Sequence, residues 1–207
     1  MRNQTAAGRR SEFLKLATWF EGGLLVFAFA LGWALSVDPL AHWDIEVSAV
    51  VWGVLGTAPL YGLFIVGYRA PQAGMRVIKD FLIEKLGPYL SACRVSDLLY
   101  LGLLAGVAEE VLFRGVLQPW FEENWGWWGG LVISNLIFAL VHWVTPLYGL
   151  LAGITGVYLG LSLDATGQRN VVVPTLIHGI YDFLAFVAVA RSCVQKSVAN
   201  PPDNLLS

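Results

Sequence analysis

The sequence predicts an all-α fold, a polytopic membrane helical bundle of about six transmembrane helices plus one interfacial amphipathic helix. Of the 207 residues, 57% are hydrophobic and 14% are charged, whereas soluble domains have about 45–50% apolar and about 25% charged residues. The apolar residues are gathered in runs long enough to cross a bilayer as helices. The net charge of −2, without a large basic patch, argues against nucleic acid as a partner.

Apolar runs define the predicted spans in chain order. They extend from about Thr18 to Val37, Val47 to Tyr68, Leu98 to Trp120, Trp127 to Val144, Pro146 to Leu163 and Val171 to Val189. The first run is too long for a cleaved signal, so we interpret it as a retained anchor. Its one carboxylate, Glu21, lies within about a turn of the polar flank, where we expect it to be solvated.

A longer polar segment, residues 69–97, separates the second and third spans. Its apolar residues recur at helical spacing, opposite three charged residues: Met75, Ile78, Leu82, Leu86 and Tyr89 against Arg76, Asp80 and Glu84. This pattern predicts an amphipathic helix that lies in the headgroup plane rather than crossing the membrane.

The distribution of basic residues predicts the orientation of the bundle. With both termini inside, almost all loop Lys and Arg residues fall in the cytoplasm and only Arg169 falls outside, in agreement with the positive-inside rule. Cys93 and Cys193 then lie on the reducing side. A single bundle without a eukaryotic targeting signal indicates a multi-pass protein of a prokaryotic plasma membrane.

Three charged side chains interrupt the third span: Glu109, Glu110 and Arg114. Each charge near the bilayer centre costs about 2.5–3.5 kcal/mol, so the cluster needs an explanation. Glu110 and Arg114 are separated by four residues, about 40° apart on a helix, and can pair. Glu109 points about 100° away from Glu110 and has no such partner. Glu109 is therefore the candidate for chemistry.

Polar residues of the fourth and sixth spans lie at matching depth. Asn135, Phe138 and His142 share one helical face, and His178 and Asp182 share another. A single histidine in a span is more often a packing residue than a catalyst. Two of the three histidines, together with three carboxylates at similar depth, instead predict one shared cavity with the unpaired carboxylate of the third span.

These residues form three motifs in consecutive hydrophobic segments, namely Glu109-Glu110-x-x-x-Arg114, Phe138-x-x-x-His142 and His178-x-x-x-Asp182. In this order they resemble the signature of the CPBP family. That family comprises the type II CAAX prenyl proteases (Rce1-like) and the bacteriocin-processing and immunity proteins, also called the ABI domain. The resemblance implies an N-terminal membrane region (1–97), a catalytic core (98–190) and a cytoplasmic tail (191–207).

The resemblance implies an intramembrane endopeptidase acting on a membrane-associated protein or peptide. Glu109 would be the base that activates water, and His142 would position that water. Glu110 and Arg114 would hold the site, with Asn135 and Phe138 as further supporting residues.

The third motif departs from the common family pattern. His178 and the residue at position 182 would stabilise the oxyanion of the tetrahedral intermediate. The family more commonly has Asn at that position, a neutral donor, whereas this chain has Asp182. An ionised carboxylate only accepts hydrogen bonds, so a direct donor role for Asp182 is in doubt.

Other functions compete with the leading hypothesis, which requires no cofactor. A zinc protease would use His142, His178 and Glu109 as ligands of an open tetrahedral centre, although the sequence has no His-Glu-x-x-His motif. A non-enzymatic immunity or scaffold protein would use the polar cluster to lock its helices together. A proton-coupled transporter is a weaker alternative, because no inverted repeat is visible.

Overall fold

The computed structural model describes residues 5–199, and in that range the chain is helical without a β-strand, which confirms the all-α class. The helices are α1 (Ala6–Leu35), α2 (Val47–Arg69), α3 (Ala73–Phe81), α4 (Gly87–Leu90), α5 (Val95–Leu112), α6 (Gln118–Val141), α7 (Pro146–Ser162) and α8 (Val172–Ala199). Short π-helical turns, Leu82–Leu86 and Phe113–Leu117, join α3 to α4 and α5 to α6. Arg2 and residues 200–207 of the predicted tail lie outside the described residues.

Two helix boundaries differ from those that the hydrophobic runs predict. Inside α6, Trp125 and Gly126 leave helical geometry, and the φ of 71° at Gly126 is one that glycine adopts without steric cost. This break separates the predicted third and fourth spans. Helix α8 continues beyond Val189 to Ala199, because no Gly or Pro interrupts residues 180–199.

Long apolar helices make this an integral membrane protein. Within residues 5–199, three helices are long and apolar enough to cross a bilayer: α1, α2 and α8. A fourth candidate is the pair Ala73–Leu90 and Val95–Val141, which is bent by 118°. The shorter apolar helix α7 has 17 residues. The predicted number of six spans remains a prediction.

One end of the bundle is formed by three loops. The backbone N–H of Val171 donates to the carbonyl of His42 over 2.8 Å, which joins the start of α8 to the loop after α1. Arg169 forms an ion pair with Glu122, from the first half of α6. The α1–α2 loop, the break in α6 and the α7–α8 loop therefore meet.

The start of α1 and the amphipathic segment lie at the opposite end of the bundle. Arg10 of α1 forms an ion pair with Asp97 of α5 at 2.6 Å, so α1 and α5 run parallel. Lys196, near the end of α8, contacts Glu84 at 3.1 Å. Arg169 lies at the other end, and the orientation of the two ends in the membrane remains a prediction.

The predicted amphipathic segment has one exposed charged face and one half-buried apolar face. Residues Arg76, Asp80 and Glu84 are exposed. The half-buried apolar residues line an internal cavity: Met75, Ile78, Leu82 and Leu86. The cavity between α2, α7 and α8 thus offers these residues an apolar surface within the protein. The position of the segment in the headgroup plane remains a prediction.

Close contact of α5 with α8 fixes the register of the site. A Cβ atom on Gly102 would lie 2.5 Å from the carbonyl oxygen of Gly179, and one on Gly106 would lie 2.8 Å from the amide nitrogen of Gly179. Backbone atoms cannot rotate away as side chains do. The Gly102-x-x-x-Gly106 spacing thus permits the helix contact that small residues allow in membrane bundles.

Candidate active site

A cavity of about 750 Å³ lies between the amphipathic segment and helices α2, α6, α7 and α8. Most of its wall is apolar. The exceptions include four residues from three helices: Glu109, His142, His178 and Asp182. The structure therefore brings together the four side chains that the sequence places at similar depth.

Behind this wall, Arg114 and Glu110 form a buried ion pair. Their Nε and Oε2 atoms are 3.1 Å apart, and the side chains are 1% and 0% exposed. The other guanidinium nitrogens donate to Glu110 Oε1, to Asn135 Oδ1 at 3.0 Å and to the carbonyl of Gly156. A buried charge pair needs such additional hydrogen bonds to offset its desolvation. Asn135 thus supports the arginine rather than the reaction.

The ring of Phe138 separates the ion pair from the cavity. The Arg114 guanidinium lies 5.1 Å from the ring centroid, a cation–π distance. The imidazole of His142 stacks on Phe138 at 4.4 Å between centroids, and His178 approaches its edge at 6.2 Å. One aromatic side chain therefore sets the position of both imidazoles.

Glu109 and His142 face each other across the cavity. Glu109 Oε2 lies 3.7 Å from His142 Nε2, beyond hydrogen-bond distance. His142 Nδ1 is 2.9 Å from the carbonyl oxygen of Phe138, so Nδ1 carries the proton and donates it. In the neutral ring, Nε2 is then an acceptor. Glu109 is 14% exposed and the adjacent Glu110 0%, so only Glu109 can meet a substrate.

His178 is held by a residue of another helix rather than by its own helical neighbour. Its Nδ1 is 2.8 Å from Oε1 of Glu110, whereas its Nε2 is 3.6 Å from Oδ2 of Asp182. The ionised Glu110 accepts, so Nδ1 donates. Glu110, rather than the helical neighbour Asp182, therefore fixes the orientation of the ring, and Nε2 points towards the cavity side.

The family model of the type II CAAX prenyl endopeptidases, Rce1-like, matches residues 91–184. The "Uncharacterized protein YpbD" of Bacillus subtilis (strain 168) is 31% identical over 153 residues, which cover 70% of this chain and 71% of the relative. The chain belongs to the Rce1-like family. An "Uncharacterized 24.3 kDa protein" of Escherichia coli is 27% identical over 132 residues, which cover 62% of this chain and 59% of the relative. No solved structure matches the chain.

Membership in the Rce1-like family supports peptidase activity for this protein, since the family is one of proteases. Residues of all three motifs lie at the cavity or directly behind its wall. The matched range includes the residues that line the polar part of the cavity from α5, α6 and α8.

The Rce1-like site does not assemble the ligands of the zinc alternative. Within residues 5–199, no three His, Cys, Asp or Glu side chains are arranged to hold one ion. The reason is geometric. His142 Nδ1 bonds to the carbonyl of Phe138, and His178 Nδ1 bonds to Glu110. The two Nε2 atoms face different carboxylates, that of His142 facing Glu109 and that of His178 facing Asp182.

Two half-buried polar residues were not predicted as site residues. Glu21 of α1 is half-buried, and its Oε2 is buried without a hydrogen-bond partner among the described residues, so the expected solvation does not hold for that oxygen. Tyr148 of α7 lines the cavity. No spacing rule could find either residue, because each belongs to a helix without a motif.

Proposed function

We propose that this protein is an intramembrane endopeptidase in which Glu109 activates the attacking water and His142 positions it. The observation that carries the proposal is the pair of acceptors, Glu109 Oε2 and His142 Nε2, 3.7 Å apart. Two acceptors at this distance cannot bond to each other, whereas a water molecule can donate one hydrogen to each.

The chemistry is general base catalysis by a carboxylate. The water oxygen adds to the scissile carbonyl carbon, its proton passes to Glu109, and the carbonyl π pair moves to oxygen. When the intermediate collapses, the C–N bond breaks and Glu109 returns the proton to the leaving amine. Glu110 and Arg114 take no part in proton transfer, since both are buried and already paired. No cofactor is required by these steps.

The cavity indicates the class of substrate. Its walls come from the C-terminal half of α2, the N-terminal half of α7 and the amphipathic segment. Examples of the wall side chains are Leu63, Met75 and Leu151. Such a wall accepts an extended peptide with apolar side chains, as expected for a membrane-associated protein or peptide. Both relatives are bacterial, which supports a prokaryotic plasma membrane. The distribution of basic residues supports an orientation with both termini in the cytoplasm.

Substrate trapping with Glu109→Gln tests the proposal. A photo-crosslinking amino acid at Leu151, in the cavity wall, is combined with Glu109→Gln, with Glu21→Gln or with no further change. Glu21 is the matched control, since it is another intramembrane carboxylate that lies outside the cavity lining.

We expect intact peptides crosslinked to Glu109→Gln, and cleaved fragments with wild type and Glu21→Gln, when the adducts are sequenced by mass spectrometry. Cleavage by Glu109→Gln would contradict the role of Glu109. Identical intact adducts in all three proteins would favour the immunity or scaffold alternative.

A further inference from the structure

The polar wall of the cavity lacks an evident second donor for an oxyanion. Of the two ring nitrogens of His178, Nδ1 is engaged by Glu110. Nε2 has the Asp182 carboxylate 3.6 Å away, which is beyond hydrogen-bond distance but close enough for the anion to attract a proton on Nε2. Asp182 itself accepts and cannot donate when ionised. A second donor must come from another residue.

Tyr148 is placed to supply that donor. Helix α7 begins at Pro146 and is capped by Thr145, whose hydroxyl accepts from the Tyr148 amide at 3.1 Å. The Tyr148 side chain lines the same cavity as Glu109 and Asp182. The capped first turn of α7 thus holds the phenol in the wall of the cavity that contains the reacting groups.

The hydroxyl of Tyr148 is available. Within residues 5–199 it makes no hydrogen bond, whereas the hydroxyl of Tyr158, on the same helix, donates to the carbonyl of Gly56 at 2.7 Å. A phenol is a neutral donor that keeps its proton at neutral pH. Tyr181 also lines the cavity, but its ring packs edge-on against Phe64 of α2.

We infer that Tyr148 is a further catalytic residue, whose hydroxyl donates a hydrogen bond to the oxyanion formed at the scissile carbonyl. The inference rests on the proposed peptidase function. No proton is transferred from Tyr148, which stabilises the negative oxygen until the C–N bond breaks. The hydroxyl thus supplies the donor that the third motif loses by having Asp182 in place of Asn.

The first test compares Tyr148→Phe with Tyr158→Phe in nanodiscs, using a quenched fluorescent peptide with apolar residues on both sides of the scissile bond. Removing one oxyanion donor lowers kcat by about 10²–10³-fold in other proteases. We expect a loss of about 10²-fold in kcat for Tyr148→Phe, with KM and thermal stability unchanged. Tyr158→Phe should show the opposite pattern, a lower melting temperature with an unchanged kcat.

The second test places Tyr148→Phe in an Asp182→Asn background. The amide of Asn supplies a neutral donor, so the loss caused by Tyr148→Phe should shrink to about tenfold or less. A purely structural role of the phenol would give the same loss in both backgrounds.

Full activity of Tyr148→Phe, or an equal loss in both backgrounds, would overturn the inference. Either result leaves the role of Glu109 intact, because that role is tested separately by Glu109→Gln. Cleavage by Glu109→Gln would instead overturn the proposed mechanism, whatever the result at Tyr148.

Discussion

His178 Nδ1 lies 2.8 Å from Oε1 of Glu110, a carboxylate that also pairs with Arg114. A single buried side chain therefore joins α5, the π-helical turn after it and α8. Glu109 and Glu110 are neighbours in sequence with different environments. Glu109 faces the cavity, whereas Glu110 is enclosed by a cation and an imidazole.

Glu110→Gln is expected to destabilise the protein, in contrast to Glu109→Gln. The amide removes the negative charge and leaves the guanidinium of Arg114 buried without a counter-charge. Breaking one partner of a buried pair costs roughly 3–5 kcal/mol. Thermal unfolding in detergent should show a large drop for Glu110→Gln and near wild-type stability for Glu109→Gln. Equal stability of the two variants would contradict the division of roles.

Arg114→Lys tests whether geometry or charge matters in the buried pair. The guanidinium donates at the same time to Glu110, Asn135 and the carbonyl of Gly156, and an ammonium lacks this planar fork. We expect Arg114→Lys to lose stability, and Arg114→Ala to lose several kcal/mol. Arg76→Ala is the matched control, because Arg76 is exposed. A lysine variant as stable as wild type would show that charge alone suffices.

Gly106→Ala is expected to disrupt the contact between α5 and α8. The added methyl would lie 2.8 Å from backbone atoms of α8, and nothing there can rotate away. Gly23→Ala is the control, since a methyl at Gly23 meets no atom within 4 Å, and alanine favours a helix. We expect loss of both stability and proteolysis for Gly106→Ala alone, measured as melting temperature and peptide cleavage. Unchanged behaviour would mean that the helices separate easily.

The sequence predicts contacts within one helix and misses contacts that depend on register between helices. The pairing of Glu110 with Arg114 follows from their spacing of four residues. The bond from His178 to Glu110 joins residues 68 positions apart. It depends on how far α8 slides along α5, which Gly102 and Gly106 determine through backbone contact.

The amphipathic segment shows a second limit. Its sequence separates an apolar face from a charged face, but the pattern does not identify the surface that the apolar face covers. In a membrane protein, lipid and an internal cavity are equally apolar, so Met75 and Ile78 fit either. The number of spans is limited in the same way, because a helix of 17 residues such as α7 is near the lower limit for crossing a bilayer.

Metal removal separates the two enzymatic mechanisms. A zinc-activated water would require the ion in every turnover, whereas a glutamate-activated water would not. After prolonged dialysis against a strong chelator, we expect proteolysis to persist and metal analysis to find substoichiometric zinc. Stoichiometric zinc, with activity lost on chelation and regained on adding the ion, would establish the metalloprotease alternative instead.

Asp182 tests the third motif most directly. Its Oδ2 lies 3.6 Å from His178 Nε2, so the carboxylate attracts a proton on that nitrogen, while Glu110 holds the opposite side of the ring. Asp182→Asn restores the residue more common in the family. We expect its activity to stay within about tenfold of wild type, about 1.4 kcal/mol in the barrier.

Asp182→Leu removes both the charge and any donor, and we expect a loss of about 10²-fold or more. The two variants are compared with wild type by kcat in nanodiscs, after their thermal stabilities have been matched. An inactive Asp182→Asn that is normally folded would mean that the carboxylate acts as a base or a metal ligand. Full activity of Asp182→Leu would remove Asp182 from the mechanism, and the oxyanion would then rely on His178 and Tyr148.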